Sequence, residues 1–145
     1  MEGQSGSRTE APIPQASAVP FRHRPGGEVE ICLITSSSGR RWGFPKGVVE
    51  PGMSAAETAL EEAYEEAGLR GRLIGEPLGT YRYRKWGTSL DVVVYLMEVI
   101  HEDASWPEAQ VRSRAWLPAE EAFGRLDRDE LRDFLRAALD RLHCE

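Results

Sequence analysis

Cysteine is scarce in this sequence of 145 residues, and so are histidine and long apolar runs. The two cysteines are Cys32, inside an apolar run, and Cys144, next to the last residue, and no Cys-x-x-Cys pair occurs. With only three histidines, a zinc site has no support. Reduced thiols are favoured over a bridge between Cys32 and Cys144, although such a disulfide is conceivable.

Long apolar segments are also missing, and the charge balance is acidic. The longest apolar run, 92–97, has the length of a strand and is far shorter than the roughly 18 residues of a membrane span. The first residues lack the charged start and apolar stretch of a secretory signal peptide. A formal net charge of −6 argues against binding to duplex nucleic acid or to an anionic membrane. We therefore expect a soluble cytoplasmic protein without either of these partners, and the sequence leaves its oligomeric state open.

The negative charge is concentrated in one short segment. Residues 46–68 contain six glutamates and a single base, Lys46, whereas the other 122 residues hold 18 acids and 17 bases. The six are Glu50, Glu57, Glu61, Glu62, Glu65 and Glu66. Because the rest of the chain is almost neutral, this segment needs a local explanation.

The order of apolar patterns predicts one mixed domain. Residues 1–15 are rich in Gly, Ser and Pro and predict a flexible tail, which leaves 16–145 as the domain. Period-two patterns predict strands over 18–24, 28–35, 71–74, 78–85, 90–100 and 112–116. Helical periodicity predicts helices over 54–67, 119–123 and 129–142, with an irregular loop over 45–52 before the first. This order is typical of an α+β fold or of a layered α/β/α sandwich.

The first predicted helix carries the sequence features of both helix ends. Ser54 and Glu57 have the spacing of a capping box at the start. Gly68 stands where a left-handed residue would end the helix. The direction in which each side chain of this helix points can therefore be read from the 3.6-residue period.

Three glutamates of this helix, Glu62, Glu65 and Glu66, fall on one face within an arc of about 100°. Like charges three or four residues apart each cost about 0.2–0.5 kcal/mol in an isolated helix. No Lys or Arg between Lys46 and Arg70 relieves this repulsion. A hard divalent cation such as Mg²⁺ or Mn²⁺ would relieve it, because such ions prefer carboxylate oxygens. A solvated acidic face without a partner is the alternative interpretation.

The segment 47–69 resembles the Nudix box, whose pattern is G-x5-E-x7-R-E-U-x-E-E-x-G-U, with U an aliphatic residue. The matching positions are Gly47, Glu62, Glu65, Glu66, Gly68 and Leu69. Met53 stands where the first Glu is expected, Glu61 where the Arg is expected, and Ala63 replaces an aliphatic residue. In the family the missing Glu and Arg are thought to pair and to brace the loop, so the departures affect loop rigidity and leave the metal ligands intact.

The resemblance implies a Nudix-type α/β/α sandwich with a mixed central sheet and a metal-dependent hydrolase that uses Mg²⁺ or Mn²⁺. It implies that Glu62, Glu65 and Glu66 are the catalytic, metal-binding carboxylates and that the carbonyl of Gly47 is a further ligand. The general base stays open among Glu62, Glu98, Glu102 and Asp103.

Further runs, 35–47, 66–71 and 112–117, are similar to the diphosphoinositol polyphosphate and diadenosine polyphosphate phosphohydrolase branch. This similarity implies hydrolysis of a diphosphate linkage in a substrate of one of these two classes. The residues predicted to contact its phosphates are Arg22, Ser37, Arg40, Lys46 and Arg84. For Ser37 the alternative is that it only shapes a hairpin turn.

Two other functions are consistent with the sequence. Met53 and Glu61 favour a catalytically weak Nudix-fold module that binds a nucleotide or polyphosphate without turning it over. A plain interaction domain with an acidic surface is the third hypothesis. A metal ion that binds the folded state would raise thermal stability for the first two functions and leave the third unchanged.

Overall fold

The computed structural model describes residues 11–143, which form eight strands and three helices. The strands are β1 (Ile13–His23), β2 (Val29–Thr35), β3 (Trp42–Gly43), β4 (Lys46–Val48), β5 (Leu69–Leu73), β6 (Gly79–Lys85), β7 (Thr88–Glu102) and β8 (Arg114–Pro118). The helices are α1 (Ala55–Ala67), α2 (Ala119–Arg125) and α3 (Asp129–His143). Residues 1–10 of the predicted tail, and Cys144, lie outside the described range. β1 begins at Ile13, so residues 13–15 of that tail belong to a strand.

β1 lies at the centre of one mixed sheet. The strand order is β3-β2-β1-β7-β5, while β4 also pairs with β1, β6 with β7 and β8 with β2. β1 and β7 run parallel, and every other pair is antiparallel. The parallel pairing is possible because the long connection between these two strands includes helix α1.

The helices cover both faces of this sheet. α1 packs on one face through Ala59, Ala63 and Ala67, which are fully buried, and their small side chains let the helix lie close to the strands. On the other face, Leu131 and Leu135 of α3 pack among core residues of β1, β2 and β7. This arrangement confirms the predicted α+β class and the α/β/α sandwich with a mixed central sheet.

Both predicted ends of α1 are confirmed. The Ser54 hydroxyl accepts the Glu57 N–H at 3.0 Å, and the Glu57 carboxylate accepts the Ser54 N–H at 2.9 Å. Gly68 has φ 70° and ψ 29°, and a Cβ there would come within 2.8 Å of Arg114 Nη1. Because both ends are fixed, the glutamate face of the helix has one orientation.

The loop predicted over 45–52 is more ordered than expected. Lys46–Val48 forms β4, in which Lys46 pairs with Ser17 of β1. The Ser17 hydroxyl also donates to the Pro45 carbonyl at 2.8 Å. These contacts fix the segment to the central strand and place it beside α1.

The last strand, predicted over 112–116, is displaced by two residues and runs over Arg114–Pro118.

Candidate active site

Glu66 is the buried member of the glutamate face of α1. Its Oε1 accepts the Lys46 N–H at 3.2 Å, and its Oε2 accepts Arg112 Nη2 at 3.4 Å. Burial raises the pKa of Glu66, while the Arg112 charge and the Lys46 N–H act in the opposite direction. The carboxylate is therefore held at both oxygens by groups outside its own helix.

Glu62 lies one turn earlier and is half-buried against the β4 segment. A Cβ added to Gly47 would overlap the Glu62 carboxylate, so only glycine fits at residue 47. The pKa of Glu62 is raised to about 8, first by burial and then by the charge of Glu66 and hydrogen bonding to it, with Glu65 contributing. Two crowded carboxyl groups thus face the Lys46-Gly47 backbone.

Three further acids, Glu61, Glu65 and Glu108, extend this cluster. Burial raises the pKa of Glu65, and so does its hydrogen bond with Glu61, the residue that replaces the Arg of the motif. Glu108, from the β7–β8 loop, raises the pKa of Glu62, Glu65 and Glu66 by its charge. Glu108 could not be assigned to this cluster from the sequence, because only the packing of that loop on α1 brings it near.

A cavity of about 240 Å³ opens beside Glu66. Its walls contain aromatic side chains, among them Trp42, Phe44 and Tyr81. The basic residues that line it are Arg41, Lys46, Lys85, Arg112 and Arg128. One carboxylate of the acidic cluster therefore shares a wall with five cationic side chains, an arrangement that suits a polyanion bound next to a metal ion.

The Lys46 side chain is fixed by a short polar chain. Its Nζ donates to the Tyr83 hydroxyl at 3.1 Å, and that hydroxyl donates to Gln15 Oε1 at 3.0 Å. Lys46 Nζ also lies 5.2 Å from the centre of the Tyr83 ring, and Arg128 Cζ lies 5.5 Å from it. Tyr83 thus holds two cations at the cavity, each within the range of a cation–π contact.

Comparison with known proteins identifies the family. The NUDIX domain model matches residues 13–141. This chain belongs to the Nudix family. Nudix hydrolase 16, mitochondrial, of Arabidopsis thaliana is 32% identical over 147 residues, an alignment that covers 90% of this chain and 81% of that protein. The chain is therefore a Nudix hydrolase.

Further Nudix proteins share sequence or fold with it. Nudix hydrolase 21, chloroplastic, of Arabidopsis thaliana is 34% identical over 85% of this chain, which spans 64% of that protein. Other Arabidopsis Nudix hydrolases are matched over 46% to 62% of their own length. The structure of a C. elegans Ap4A hydrolase superposes with a TM-score of 0.76 at 24% identity, over 91% of this chain and 99% of that one. The NUDIX domain of Shewanella oneidensis NrtR, complexed with ADP ribose, gives 0.75 at 19%, over 98% and 99%.

The Nudix carboxylates fit a hard divalent cation by their chemistry. Among residues 11–143, no three His, Cys, Asp or Glu side chains already converge as a complete metal site. Crowding and burial raise the pKa of both Glu62 and Glu66, so the ionised forms of the two carboxyls repel each other, and a bound cation would offset this repulsion. Such all-oxygen donor sets favour Mg²⁺ or Mn²⁺.

Of the five residues predicted to contact phosphate, one lines the cavity, two lie in the turn beside it and two lie elsewhere. Lys46 lines the cavity. Ser37 and Arg40 are exposed in the β2–β3 turn, and their neighbours Ser36 and Arg41 line the cavity in their place.

Arg22 and Arg84 are engaged elsewhere. Arg22 Nε donates to Glu30 Oε1 at 2.9 Å, and its guanidinium lies 4.0 Å from the centre of the Trp116 ring. Arg84 donates to Ser89 Oγ at 2.9 Å and to the Gly87 carbonyl at 2.7 Å, within the β6–β7 hairpin. The structure does not bring either side chain to the cavity.

Three of the four candidate bases form ion pairs away from the acidic cluster. Glu98 pairs with Arg72 at 2.8 Å and Asp103 with Arg70 at 2.9 Å. Glu102 lies 3.5 Å from Arg114 Nη2 and also accepts a hydrogen bond from Trp116 at 2.9 Å. Glu62 is the one of the four that stands beside the other Nudix carboxylates.

A membrane span requires a helix that is both long and apolar, and residues 11–143 form three helices. None of them is long and apolar enough to cross a membrane.

Proposed function

We propose that this Nudix hydrolase cleaves a diphosphate linkage in a nucleotide or inositol polyphosphate substrate, with Mg²⁺ or Mn²⁺ as its cofactor. The observation that carries the proposal is the position of Glu66, which lies in the wall of a cavity lined by five basic side chains. A metal-binding carboxylate and phosphate-binding cations would thus meet at one place.

Glu62, Glu65 and Glu66 would hold the cation, together with the carbonyl of Gly47. When bound, the cation lowers the pKa of a coordinated water and offsets the charge of the phosphates. Glu66 is aimed by the Lys46 N–H and by Arg112, and the glycine at 47 leaves room for the Glu62 carboxylate. The protein therefore supplies carboxyl oxygens that are already directed to one side of α1.

Three of the basic residues, Lys46, Lys85 and Arg41, would bind the phosphate chain. Lys46 Nζ is held by the Tyr83 hydroxyl, and Lys85 lies 4.4 Å from the Trp86 ring centre, so both bases have aromatic rather than carboxylate partners. The nearest carboxylate to Arg41 is Asp127, at 4.0 Å. Cations that are weakly compensated in the free protein favour a ligand with several negative charges.

Diadenosine polyphosphates and diphosphoinositol polyphosphates are the favoured substrates. Support comes from the runs 35–47 and 112–117, and from the shared fold with a C. elegans Ap4A hydrolase. Both substrate classes combine a diphosphate with further phosphates, which suits a cavity lined by several basic side chains. The cytoplasmic location and the absence of nucleic-acid and membrane partners stay predictions.

The test is a substrate panel with Mg²⁺, with Mn²⁺ and with EDTA. The panel contains diadenosine tetraphosphate, a diphosphoinositol polyphosphate, ADP ribose and a nucleoside diphosphate sugar, and the products are identified by chromatography. We expect metal-dependent release from one of the first two and loss of at least a hundredfold in rate for E66Q. Full turnover by E66Q on every substrate would exclude the proposal.

A catalytically weak binding module is the second candidate. Glu61 favours it, because this acid stands where the motif places an arginine and its charge raises the pKa of the neighbouring Glu65. Calorimetric titration of the same panel, with product analysis of the same samples, separates the two functions. Tight binding without product would establish the module, and multiple turnover would exclude it.

A further inference from the structure

The C-terminal end of α1 is held by one segment, residues 103–114, which we name the bracing loop. Four successive carbonyl groups of the chain accept N–H groups from it, and the last turn of α1 contains no basic residue of its own. In order, Glu65, Glu66, Ala67 and Gly68 accept from Glu108, Trp106, Arg114 and Asp103 at 3.1, 3.0, 2.7 and 2.8 Å. The orientation of this end of the helix therefore depends on a segment distant in sequence.

Arg112 connects the bracing loop to the carboxylates themselves. Its Nε donates to Glu108 Oε1 at 2.6 Å, its Nη1 to the Thr35 carbonyl at 3.0 Å and its Nη2 to Glu66 Oε2 at 3.4 Å. The Arg112 side chain is only 17% exposed. A single guanidinium thus joins the loop, strand β2 and helix α1.

The residue next to Arg112, Ser113, is hydrogen-bonded to the end of strand β2. The Ser113 N–H donates to Thr35 Oγ1 at 2.9 Å, and the Thr35 N–H donates to the Ser113 carbonyl at 3.0 Å. Arg112 is therefore fixed to the end of β2 by its neighbour as well as by its own Nη1. Glu66 lies between this fixed guanidinium and the Lys46 N–H, which bonds its other oxygen.

We propose that Arg112 is a positioning residue that orients the Glu66 carboxylate for metal binding. The inference rests on the proposed function, because it concerns a carboxylate assigned to the cation. A planar guanidinium presents N–H groups in three fixed directions, whereas a lysine ammonium is a single flexible donor. Mutation of a residue that hydrogen-bonds to a metal ligand commonly weakens metal binding by about tenfold to a hundredfold.

Arg112 also lines the cavity, so a direct contact with substrate phosphate is the competing role. The two roles predict different measurements. A positioning residue affects metal affinity in the absence of substrate and lowers kcat, whereas a phosphate contact affects KM alone.

Arg114 provides a matched control for this comparison. It belongs to the same segment, its side chain is 16% exposed, and it bonds the Ala67 carbonyl and pairs with Glu102, whereas its guanidinium forms no ion pair with the Glu66 carboxylate. We expect both R112K and R114K to lower the melting temperature. In a substrate-free calorimetric titration with Mn²⁺, R112K should bind tenfold to a hundredfold more weakly, and R114K should bind as the parent does.

Kinetics with diadenosine tetraphosphate complete this test. For R112K we expect kcat to fall with KM within about twofold of the parent value. Unchanged Mn²⁺ affinity in R112K, or a change confined to KM, would overturn the positioning role.

A second measurement needs no metal. Thermal unfolding of E66Q, R112Q and the double variant in EDTA gives the coupling between the two side chains. We expect the double variant to lose less stability than the two single losses together, because each single change breaks the same contact. Additive losses would refute the inference even if the parent protein binds metal. Failure of the parent protein to bind Mn²⁺ would refute the proposed function. The unfolding measurements on the two single variants and the double variant would then still test whether Arg112 is coupled to Glu66.

Discussion

Gly47 and Glu62 are packed so closely that residue 47 has no room for a side chain. A Cβ at Gly47 would overlap the Glu62 carboxylate. Neither partner can move away easily, because Gly47 pairs with Ala16 in the sheet and α1 is capped at both ends. The contact therefore sets the distance between the β4 backbone and the carboxylates of the helix.

The substitution G47A is expected to displace Glu62 and to reduce metal-dependent turnover by at least tenfold. Overpacking of this kind typically costs about 1–3 kcal/mol of folding free energy. Chemical denaturation and initial rates at saturating Mg²⁺ measure the two effects. The control is G124A, since a Cβ at Gly124 in α2 meets no atom within 4 Å and alanine favours a helix. Equal activity of G47A and the parent would show that the contact does not matter for catalysis.

Divalent metal should stabilise the folded protein. If Mg²⁺ or Mn²⁺ binds only the native state, a concentration one hundred times Kd adds about 2.7 kcal/mol to the free energy of unfolding. We expect the melting temperature to rise with either ion and to return to its starting value after EDTA. In E66Q this rise should be largely lost, and an equal rise in E66Q would place the metal elsewhere.

Arg41, which lines the cavity, should contribute to substrate affinity, and Arg22 should not. Loss of a charge-assisted hydrogen bond to phosphate costs about 1.5–3 kcal/mol, so R41A should raise KM at least tenfold with kcat less affected. R22A removes one of the two arginines that pair with the buried Glu30, and we expect it to lower the melting temperature with KM within twofold. Steady-state kinetics and thermal unfolding of both variants give the answer. The reverse pattern would support the prediction from the sequence that Arg22 contacts phosphate.

The carboxylate face could be predicted from the sequence because it depends on local rules. Glu62, Glu65 and Glu66 lie within two turns of one helix, so the 3.6-residue period places them together whatever the rest of the fold does. Gly47 and Lys46 precede that helix by a short segment and stay close to it. The sandwich followed from the order of strands and helices and from the Nudix resemblance.

The residues that line the cavity could not be predicted in the same way, because they depend on which strand ends meet. Ser17 of β1 lines the cavity, and Arg22 lies five residues further along that strand, roughly 16 Å away at the usual rise per residue. On β6, successive side chains point to opposite faces of the sheet. Tyr81 and Lys85 line the cavity, so Arg84 lies on the opposite face. That alternation was available in the sequence. The positions of Arg128 at the cavity and of Glu108 near the glutamates of α1 could not be predicted from the sequence, because they depend on the packing of α3 and of the β7–β8 loop.

Cys32 should resist thiol reagents as long as the protein is folded. It is a free thiol with no exposed surface, and burial raises its pKa to about 12, so it remains protonated near pH 8, where only the thiolate reacts. We expect iodoacetamide to leave the Cys32 peptide unmodified in the native protein and to modify it completely in guanidinium chloride, as measured by mass spectrometry. Addition of Mg²⁺ at a concentration that raises the melting temperature should slow native-state labelling further, because modification then requires unfolding of the metal-bound form. Rapid labelling under native conditions would show that the sheet around Cys32 opens far more often than its packing implies.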